Sequence, residues 1–424
     1  MTRTLIMIVA MVLAACQTVP KKAAVVSEPE SIVEESGPVT EPEEASTATQ
    51  STTNGNKVGF LVPLSGEHGG MGRGLLDAAT LALFDIGRDD IELVVADTAQ
   101  GAEAAARQVV AAGVDAVIGP LLARSVDEAA AILAGPERHV LALTSGPAAG
   151  GAGIHVMGHA PDHQVRRLVS HAMATGNVRF ALLAPRSHFG ERMAAILRGA
   201  VAEAGGFVTA EVFHDPAGND IDTAVATLAI TPVHPGDTDL AIAWLQDQEG
   251  LAAEVAIERL LGAGNQRAYD AVFLPGSSLL LPRIAAWMGH HGFLAGDVQL
   301  FGLDTLADPA LFREPVMNGA WFAVPPDAGR SAMLSRFRDT FGYAAGDQVT
   351  PAYDSMALVS AVISGPRQRQ ITDWRGFGGI DGLFRFLGDG RTERQLAVMR
   401  ITPTGPVIED PAPTAFTPPA DPGA

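Results

Sequence analysis

The stretch that most constrains the fold of this chain is residues 58–120, where short apolar runs alternate with segments of helical periodicity. The apolar runs predict buried strands and the periodic segments predict helices: strands at 58–62, 91–96 and 114–118, and helices at 75–86 and 102–112. Because the connections between these segments are short, we expect a parallel sheet with helices packed on its faces. Ligands of such sheets bind at the carboxyl ends of the strands, so the loops after the strands are the natural place for a site.

Three short motifs in this stretch carry a family resemblance: the PLSG loop at 63–66, the ADT turn at 96–98 and VDAVIGP at 114–120. Together they resemble the first lobe of the leucine-binding type (type I) of periplasmic binding protein. The resemblance implies a two-lobed α/β fold of the periplasmic-binding-protein type I, with parallel sheets flanked by helices and hinged lobes. Later segments continue it, so that it covers about 57–408.

The alternation and the resemblance together predict the domain boundaries. We expect lobe 1 at 57–158 plus 322–366 and lobe 2 at 159–321 plus 367–410, with crossovers near 158, 321 and 366. Residues 231–268 depart from a compact binding protein and predict a helical insertion, which either packs on its own lobe or offers a surface to a partner. A Gly-Asp-Gly turn at 388–390 predicts a hairpin, and residues 411–424, with five prolines, predict a disordered tail.

The N-terminus predicts export and a lipid anchor. Residues 1–16 form a signal peptide, because an arginine precedes an apolar run of 11 residues, Leu5–Ala15, which is too short to span a membrane. The run ends in Leu13-Ala14-Ala15-Cys16, which resembles the lipobox of bacterial lipoproteins, whose cysteine carries the lipid. The alternative is an ordinary signal peptide with an incidental cysteine. Gln17 is not aspartate, which by the same resemblance favours the outer membrane, on its periplasmic side.

Residues 17–56 predict a disordered linker that tethers a folded body away from the membrane. The segment is acidic, rich in Pro, Ser, Thr and Ala, and has no aromatic residue, so burial cannot offset its ordering entropy. Cys16 is the only cysteine of the chain, so no intramolecular disulfide can form.

Composition and missing motifs exclude several classes of function. The net charge of −19 argues against nucleic-acid binding, and the only lysines, Lys21, Lys22 and Lys57, form no polybasic membrane-binding patch. The sequence has no Gly-Lys-Ser/Thr phosphate loop, no G-x-S-x-G elbow and no Ser-x-x-Lys pair. We therefore predict no catalytic residue and no cofactor, and we do not expect an enzyme.

Two further patterns have competing interpretations. The glycine-rich segment at 69–74 either lets an anion approach the N-terminus of the first helix or forms a turn that needs small residues, and we favour the turn. His155, His159, His163 and His171 suggest a metal cluster, but Pro161 interrupts their helical spacing, so we predict no metal site.

The resemblance also places a ligand cleft. In amino-acid binders of this family, hydroxyl groups after the third and fourth strands hold the ligand carboxylate, and an acidic residue takes the ammonium group. By position, the cleft would be lined by Ser65, Met71, Ala123, Arg124, Thr144, Ser145, Phe189 and Asp304, with Ala148 beside them. Ala123, Ala148 and Phe189 stand where the family carries hydroxyl groups, so the amino-acid pocket is eroded. Arg124 could replace the lost donors by bidentate pairing with a carboxylate.

Two functions follow from these features. The PLSG loop, the run RAYDAVFL at 267–274 and the outer-membrane-type anchor resemble the penicillin-binding-protein activator lipoproteins, which stimulate peptidoglycan synthases by contact. We favour this reading, in which the partner is a peptidoglycan synthase. The alternative is a solute-binding receptor for amino acids or related small anions, whose partners are the membrane subunits of an ABC transporter. A small molecule in the inter-lobe cleft is compatible with both, and membrane contact is expected through the lipid anchor only.

Overall fold

The computed structural model of the protein describes residues 56–135, 138–146, 153–248, 250–262, 267–364 and 371–418. The strands are β1 (Asn56–Val62), β2 (Ile91–Asp97), β3 (Ala116–Ile118), β4 (His139–Ala142), β5 (Ile154–Val156), β6 (Arg179–Pro185), β7 (Phe207–His214), β8 (Ala271–Leu274), β9 (Gln299–Gly302), β10 (Trp321–Val324), β11 (Phe377–Gly379), β12 (Gly382–Phe386), β13 (Thr392–Arg394), β14 (Ala397–Thr402) and β15 (Gly405–Asp410). The helices are α1 (Gly69–Ile86), α2 (Ala102–Ala111), α3 (Ala123–Leu133), α4 (Pro161–Ala174), α5 (His188–Glu203), α6 (Ile221–Ala229), α7 (Pro235–Gln246), α8 (Leu251–Leu261), α9 (Leu281–His290), α10 (Arg330–Phe341) and α11 (Thr350–Ser364). Every element predicted between 58 and 120 is present, although α1 begins earlier than expected.

The first sheet has five parallel strands in the order β2-β1-β3-β4-β5. Its two faces are both buried, as the side chains of β1 show. Val58 and Phe60 pack into a core shared with α1, α10 and α11, whereas Leu61 packs into a core shared with α2 and α3. A strand buried on both faces needs apolar residues at successive positions, which explains the continuous apolar runs of the sequence.

The second sheet has seven strands in the order β15-β14-β10-β9-β8-β6-β7. Strands β6 to β10 run parallel, whereas β14 and β15 add to the edge as antiparallel strands. Phe180 and Leu182 of β6 pack under α4 and α5, and Ala181 and Leu183 pack under α6 and α9. This sheet and its helices form lobe 2, so the predicted two-lobed α/β architecture is confirmed.

A third, antiparallel sheet in the order β11-β12-β13 completes lobe 1. The turn at 388–390 joins β12 to β13, as predicted from its Gly-Asp-Gly sequence. Phe377, Phe384 and Phe386 of this sheet pack into the same core as Phe60, which places the sheet in the first lobe.

The crossovers between the lobes differ from the sequence prediction in two places. Residues 322–324, expected in lobe 1, belong to β10, which pairs with β9 and β14 in the sheet of lobe 2. Residues 371–394, expected in lobe 2, lie in lobe 1. The apolar residues of a strand or hairpin indicate that the element is buried. They do not indicate which of the two similar cores buries it. The chain therefore crosses at 157–160, 325–329 and 395–396.

The predicted insertion at 231–268 contains the two helices α7 and α8. They pack on lobe 2 through small and apolar residues, namely Ala241, Leu245, Ala253 and Ala256. Their outer sides expose large apolar residues, namely Leu240, Leu251, Val255 and Leu261. The helices thus pack on their own lobe and leave an apolar surface beyond it.

A buried polar cluster joins the crossovers, and we call it the crossover cluster: His159, Arg330, Thr350, Asp381 and Arg394. The Asp381 carboxylate, which is 1% exposed, accepts hydrogen bonds from the Arg330 guanidinium (3.0 Å) and from the Thr350 hydroxyl. His159 Nε2 lies 3.2 Å from the same carboxylate. Burial alone would raise the pKa of Asp381, but His159, Thr350 and Arg330 outweigh it and hold that pKa below its usual value.

Arg394 connects the third crossover to the first. Its Nη2 donates to the backbone carbonyl of Met157 at 2.7 Å, and the Thr392 hydroxyl donates to the carbonyl of Val156. The neighbouring Asp354 is 3% exposed, and burial raises its pKa to about 6. These contacts come from segments more than 200 residues apart, so they fix one crossover against another.

Residues 411–418 follow β15 without regular secondary structure, and Phe416 is buried there with the Arg385 guanidinium 4.4 Å above its ring. Among the described residues, no helix combines the length and the apolar character needed to cross a membrane. Cys16, the predicted linker up to 55, and residues 419–424 lie outside the described residues.

We predict that the buried imidazole of His155 makes stability depend on pH. Burial, with a smaller contribution from His139, lowers the pKa of His155 to about 4; the ring packs on Phe386, with centroids 4.8 Å apart. Between about pH 6.5 and pH 4 the unfolded chain takes up a proton here that the folded protein does not, so the free energy of unfolding falls as pH is lowered. His155→Phe should remove about 2–3 kcal/mol of that fall, measured by urea unfolding at pH 7 and pH 4.5.

The matched control is His234→Phe, since His234 is exposed. It should leave the pH dependence of the unfolding free energy unchanged. An equal change in both variants would contradict a specific effect of the buried imidazole.

Candidate functional site

The candidate cleft residues follow the carboxyl ends of parallel strands in the two sheets. In lobe 1, Ser65 follows β1, Ala123 and Arg124 follow β3, and Thr144 and Ser145 follow β4. Because β1, β3 and β4 are adjacent and parallel, their following loops share one edge of the sheet. In lobe 2, the corresponding positions after β6 and β9 are held by Phe189 and Asp304. The topology therefore brings the predicted residues of each lobe to one edge.

The Ser65 hydroxyl is already engaged within lobe 1. It donates to the Asp97 carboxylate at 2.7 Å and accepts from the Gln100 amide at 3.0 Å. Asp97 also accepts from the backbone N–H groups of Leu64 (2.8 Å) and Ala99 (2.9 Å). Burial acts to raise the pKa of Asp97, but these bonds outweigh it and keep that pKa below its usual value. The PLSG loop and the ADT turn thus form one hydrogen-bonded unit, in which Ser65 has a structural partner.

The loops after β3 and β4 meet at Gly146. A Cβ atom added there would lie 3.1 Å from the Cβ of Ala123, so the two loops are in close contact. The Thr144 hydroxyl accepts the Gly146 N–H at 3.0 Å, whereas Ser145 is exposed. Arg124 is exposed in the first turn of α3, and no described residue pairs with it. The residue Ala148 lies outside the described residues.

On the side of lobe 2, the two predicted cleft residues differ in chemistry. Phe189 is 41% exposed in the first turn of α5, and it offers an apolar ring without a hydroxyl group. Asp304 is exposed, and its backbone N–H donates to the Gln164 side chain at 2.9 Å. Its carboxylate has no partner among the described residues, so it remains available to a cation.

The helix that carries Met71 approaches the preceding loop unusually closely. A Cβ at Gly72 would lie 1.8 Å from the Pro63 carbonyl oxygen, and a Cβ at Gly190 in α5 would lie 1.8 Å from the Pro185 carbonyl oxygen. The helix α1 that follows β1 and the helix α5 that follows β6 thus begin with the same close glycine contact. The turn expected at 69–74 is wrong, because these residues form the first turns of α1, and the glycine at position 72 is needed for this close contact. Met71 is exposed next to this contact.

The histidines singled out in the sequence do not converge on one point. His155 packs on Phe386, His159 lies beside Asp381, and His171 Nδ1 lies 3.2 Å from Asp410. Across the described ranges, no group of three His, Cys, Asp or Glu side chains is arranged to hold a metal ion.

Sequence reasoning missed the crossover cluster. It also missed three arginines on or near α5, namely Arg166, Arg192 and Arg391. Asp381 lies in the turn between β11 and β12, and Arg394 ends β13. The sequence of this region suggests only turns and strands, and the partners of both residues lie far away along the chain. The one available signal was the apolar spacing of Phe384 and Phe386, which implies a buried face beside these charges.

Comparison with known proteins supports the fold. Residues 56–229, less than half of the chain, match the model of a family described as periplasmic binding protein. No curated protein sequence matches the chain significantly.

Solved structures with this architecture include both transport and regulatory proteins. A putative branched-chain amino acid ABC transporter from Rhodospirillum rubrum aligns with a TM-score of 0.62 at 17% identity, over 83% of this chain and 99% of that one. The C-domain of LpoA (YraM) from Haemophilus influenzae, a regulator of PBP1A, aligns with a TM-score of 0.58 at 18% identity, over 83% and 99%. A solute-binding protein of an ABC transporter from Rhodopseudomonas palustris BisB5, in complex with 3,4-dihydroxybenzoic acid, aligns with a TM-score of 0.52 at 16% identity, over 87% and 99%. At these identities the likeness establishes the type I periplasmic-binding-protein fold, which confirms the fold predicted from the sequence.

We predict that Gly72→Ala destabilises the protein by about 2 kcal/mol or more, because the new methyl group overlaps the Pro63 carbonyl and forces α1 away from the loop. The matched control is Gly70→Ala in the same helix, where a Cβ meets no atom within 4 Å, so stability should be unchanged or slightly raised. Urea unfolding of the two purified variants measures both effects. Equal stability of the two variants would contradict the packing explanation.

Proposed function

We propose that this chain is a lipid-anchored, periplasm-facing protein that regulates peptidoglycan synthesis by contacting a penicillin-binding protein. In this proposal it has no catalytic activity of its own. The fold shared with the C-domain of LpoA, a regulator of PBP1A, supports the proposal, as do the signal-peptide and Leu-Ala-Ala-Cys features of the sequence. The family described as periplasmic binding protein supports a location in the periplasm.

The proposal rests on the hydrogen bonds that polar groups at the cleft edge of lobe 1 already make within the lobe. The Ser65 hydroxyl is held by Asp97 and Gln100, and the Thr144 hydroxyl is held by the Gly146 N–H. A carboxylate that leaves water for a cleft needs several hydrogen-bond donors in compensation. Ser65 donates its only hydroxyl proton to Asp97, and Ala123 and Phe189 carry no hydroxyl group, so the cleft offers a free amino acid few of the donors it requires.

The second candidate function is a solute-binding receptor for amino acids or related small anions. Arg124 favours it, because its exposed guanidinium could bind a carboxylate through two parallel hydrogen bonds. The Asp304 carboxylate could bind an ammonium group from the other lobe. The fold shared with the putative branched-chain amino acid transporter of Rhodospirillum rubrum is compatible with this function.

We predict that leucine, valine, glutamate and D-alanine bind weakly or not at all in isothermal titration calorimetry. The lost donors at Ala123, Ala148 and Phe189 are each worth about 1.5–3 kcal/mol toward a charged group, which moves a micromolar ligand into the millimolar range. Arg124→Ala should therefore change little. Micromolar binding of any of these ligands that Arg124→Ala abolishes would make the receptor function the better one.

The two candidate functions also predict different protein partners. A penicillin-binding protein should co-purify with the chain from crosslinked membranes, and Arg124→Ala should not reduce its recovery. Recovery of ABC-transporter membrane subunits in its place would contradict the proposed regulatory function.

We predict that Cys16→Ser abolishes labelling with radioactive palmitate and releases the chain from the membrane fraction. The expectation rests on Leu13-Ala14-Ala15-Cys16 after the apolar core of the signal peptide. A wild-type chain that is soluble in the periplasm and carries no label would contradict the anchor.

A further inference from the structure

An open cavity of about 580 Å³ lies between the two lobes and adjoins the candidate cleft at Gly146. Its walls are the exposed sides of α4 and α5 and the turn between β12 and β13. The edge of lobe 1 closes it at Gly146 and Val156. Its volume lies within the range that small-molecule sites occupy in proteins.

Three arginines line the cavity. Arg166, Arg192 and Arg391 lie there together with Asp162 and Asp389. The positive charge of the lining comes from the arginines, because burial lowers the pKa of the lining residue His163 to about 4 and leaves its ring neutral at neutral pH.

The arginines differ in how they are paired. Arg391 pairs with Asp389 at 2.7 Å, and Arg166 pairs with Glu203, whose side chain is 63% exposed. Arg192, which is half-buried in α5, pairs with no acidic side chain among the described residues. A guanidinium that is partly removed from water and lacks a counter-charge favours an anionic ligand.

The remaining wall is apolar and open. Arg192, Ile196 and Gly199 follow one another at helical spacing, so they form one stripe of α5 that faces the cavity, with Ala160 across from it. A Cβ at Gly199 would meet no atom within 4 Å, which shows that the space above the stripe is empty. An apolar ligand body would lie against this stripe with its charged group at Arg192.

We propose that this cavity is a binding site for a small organic monocarboxylate with an apolar body. Two features support this class of ligand together: the Arg192 guanidinium, which has no acidic partner among the described residues and whose single charge suits one carboxylate, and the apolar stripe of α5. The site extends from Gly146, at the edge of the candidate cleft, along α5, and its occupancy does not depend on which proposed function is correct.

The test uses the purified, unlipidated chain and the ¹³C-labelled δ1 methyl of Ile196, assigned by Ile196→Val, as a local NMR probe. Titration with 4-phenylbutyrate should shift this methyl signal in a saturable way and leave that of Ile91, in β2 of lobe 1, unchanged. The neutral 4-phenylbutanol should bind at least about tenfold more weakly, as should the dianion phenyl phosphate.

Two variants locate the site. Arg192→Gln should weaken 4-phenylbutyrate about tenfold or more, and Gly199→Leu should fill the cavity and abolish binding. The matched control is Arg198→Gln on the same helix, since Arg198 pairs with Glu211 at 2.7 Å outside this cavity and should leave affinity within about twofold. The proposal is overturned if 4-phenylbutyrate leaves the Ile196 signal unmoved at millimolar concentration. Equal binding of 4-phenylbutanol, or unchanged affinity in Arg192→Gln, would overturn it as well.

Discussion

The buried carboxylate of Asp381 is the group on which the connection between the two lobes depends. A charge removed from water must be paired, and here the partners come from separate parts of the chain: Arg330 after the second crossover, Thr350 at the start of α11, and His159 in the first crossover. Breaking such a buried pair typically costs about 3–5 kcal/mol. Arg394 ties the third crossover to the first through the carbonyl of Met157. These contacts therefore hold the three crossover segments together as one unit.

At those edges, the same packing that builds the lobes determines what the cleft can offer. Gly72 and Gly190 let α1 and α5 begin directly against the preceding loops, which brings Met71 and Phe189 to exposed positions in the first helical turns. Asp97 takes the Ser65 hydroxyl to close the loop between β1 and α1. Of the groups expected to bind an amino acid, Ala123 and Phe189 are apolar and Ser65 is used within the lobe, whereas the Arg124 and Asp304 side chains have no partner among the described residues.

The elements of the fold could be predicted from sequence far better than the partners of individual side chains. The strands β1 to β3 and the helices between them follow from apolar runs and helical spacing, and the turn at 388–390 follows from its glycines. The second crossover could not be placed, because the apolar residues of β10 indicate burial but not which of the two cores buries them. The pairing of Ser65 with Asp97, and of Asp381 with residues 31 to 222 positions away, depends on three-dimensional proximity that no local pattern encodes. The cavity beside α5 was missed for the same reason, since Arg192 and Arg391 are distant in the chain.

We propose that this protein acts on a peptidoglycan synthase through contact rather than through transport of a solute. The most direct measurement is the rate of peptidoglycan synthesis by a purified class A penicillin-binding protein of the same organism, with and without this protein, from lipid-linked precursor. We expect a rate that rises with added protein, saturates, and is unaffected by free amino acids. A rate that stays unchanged at saturating protein with every class A synthase of the organism would contradict it.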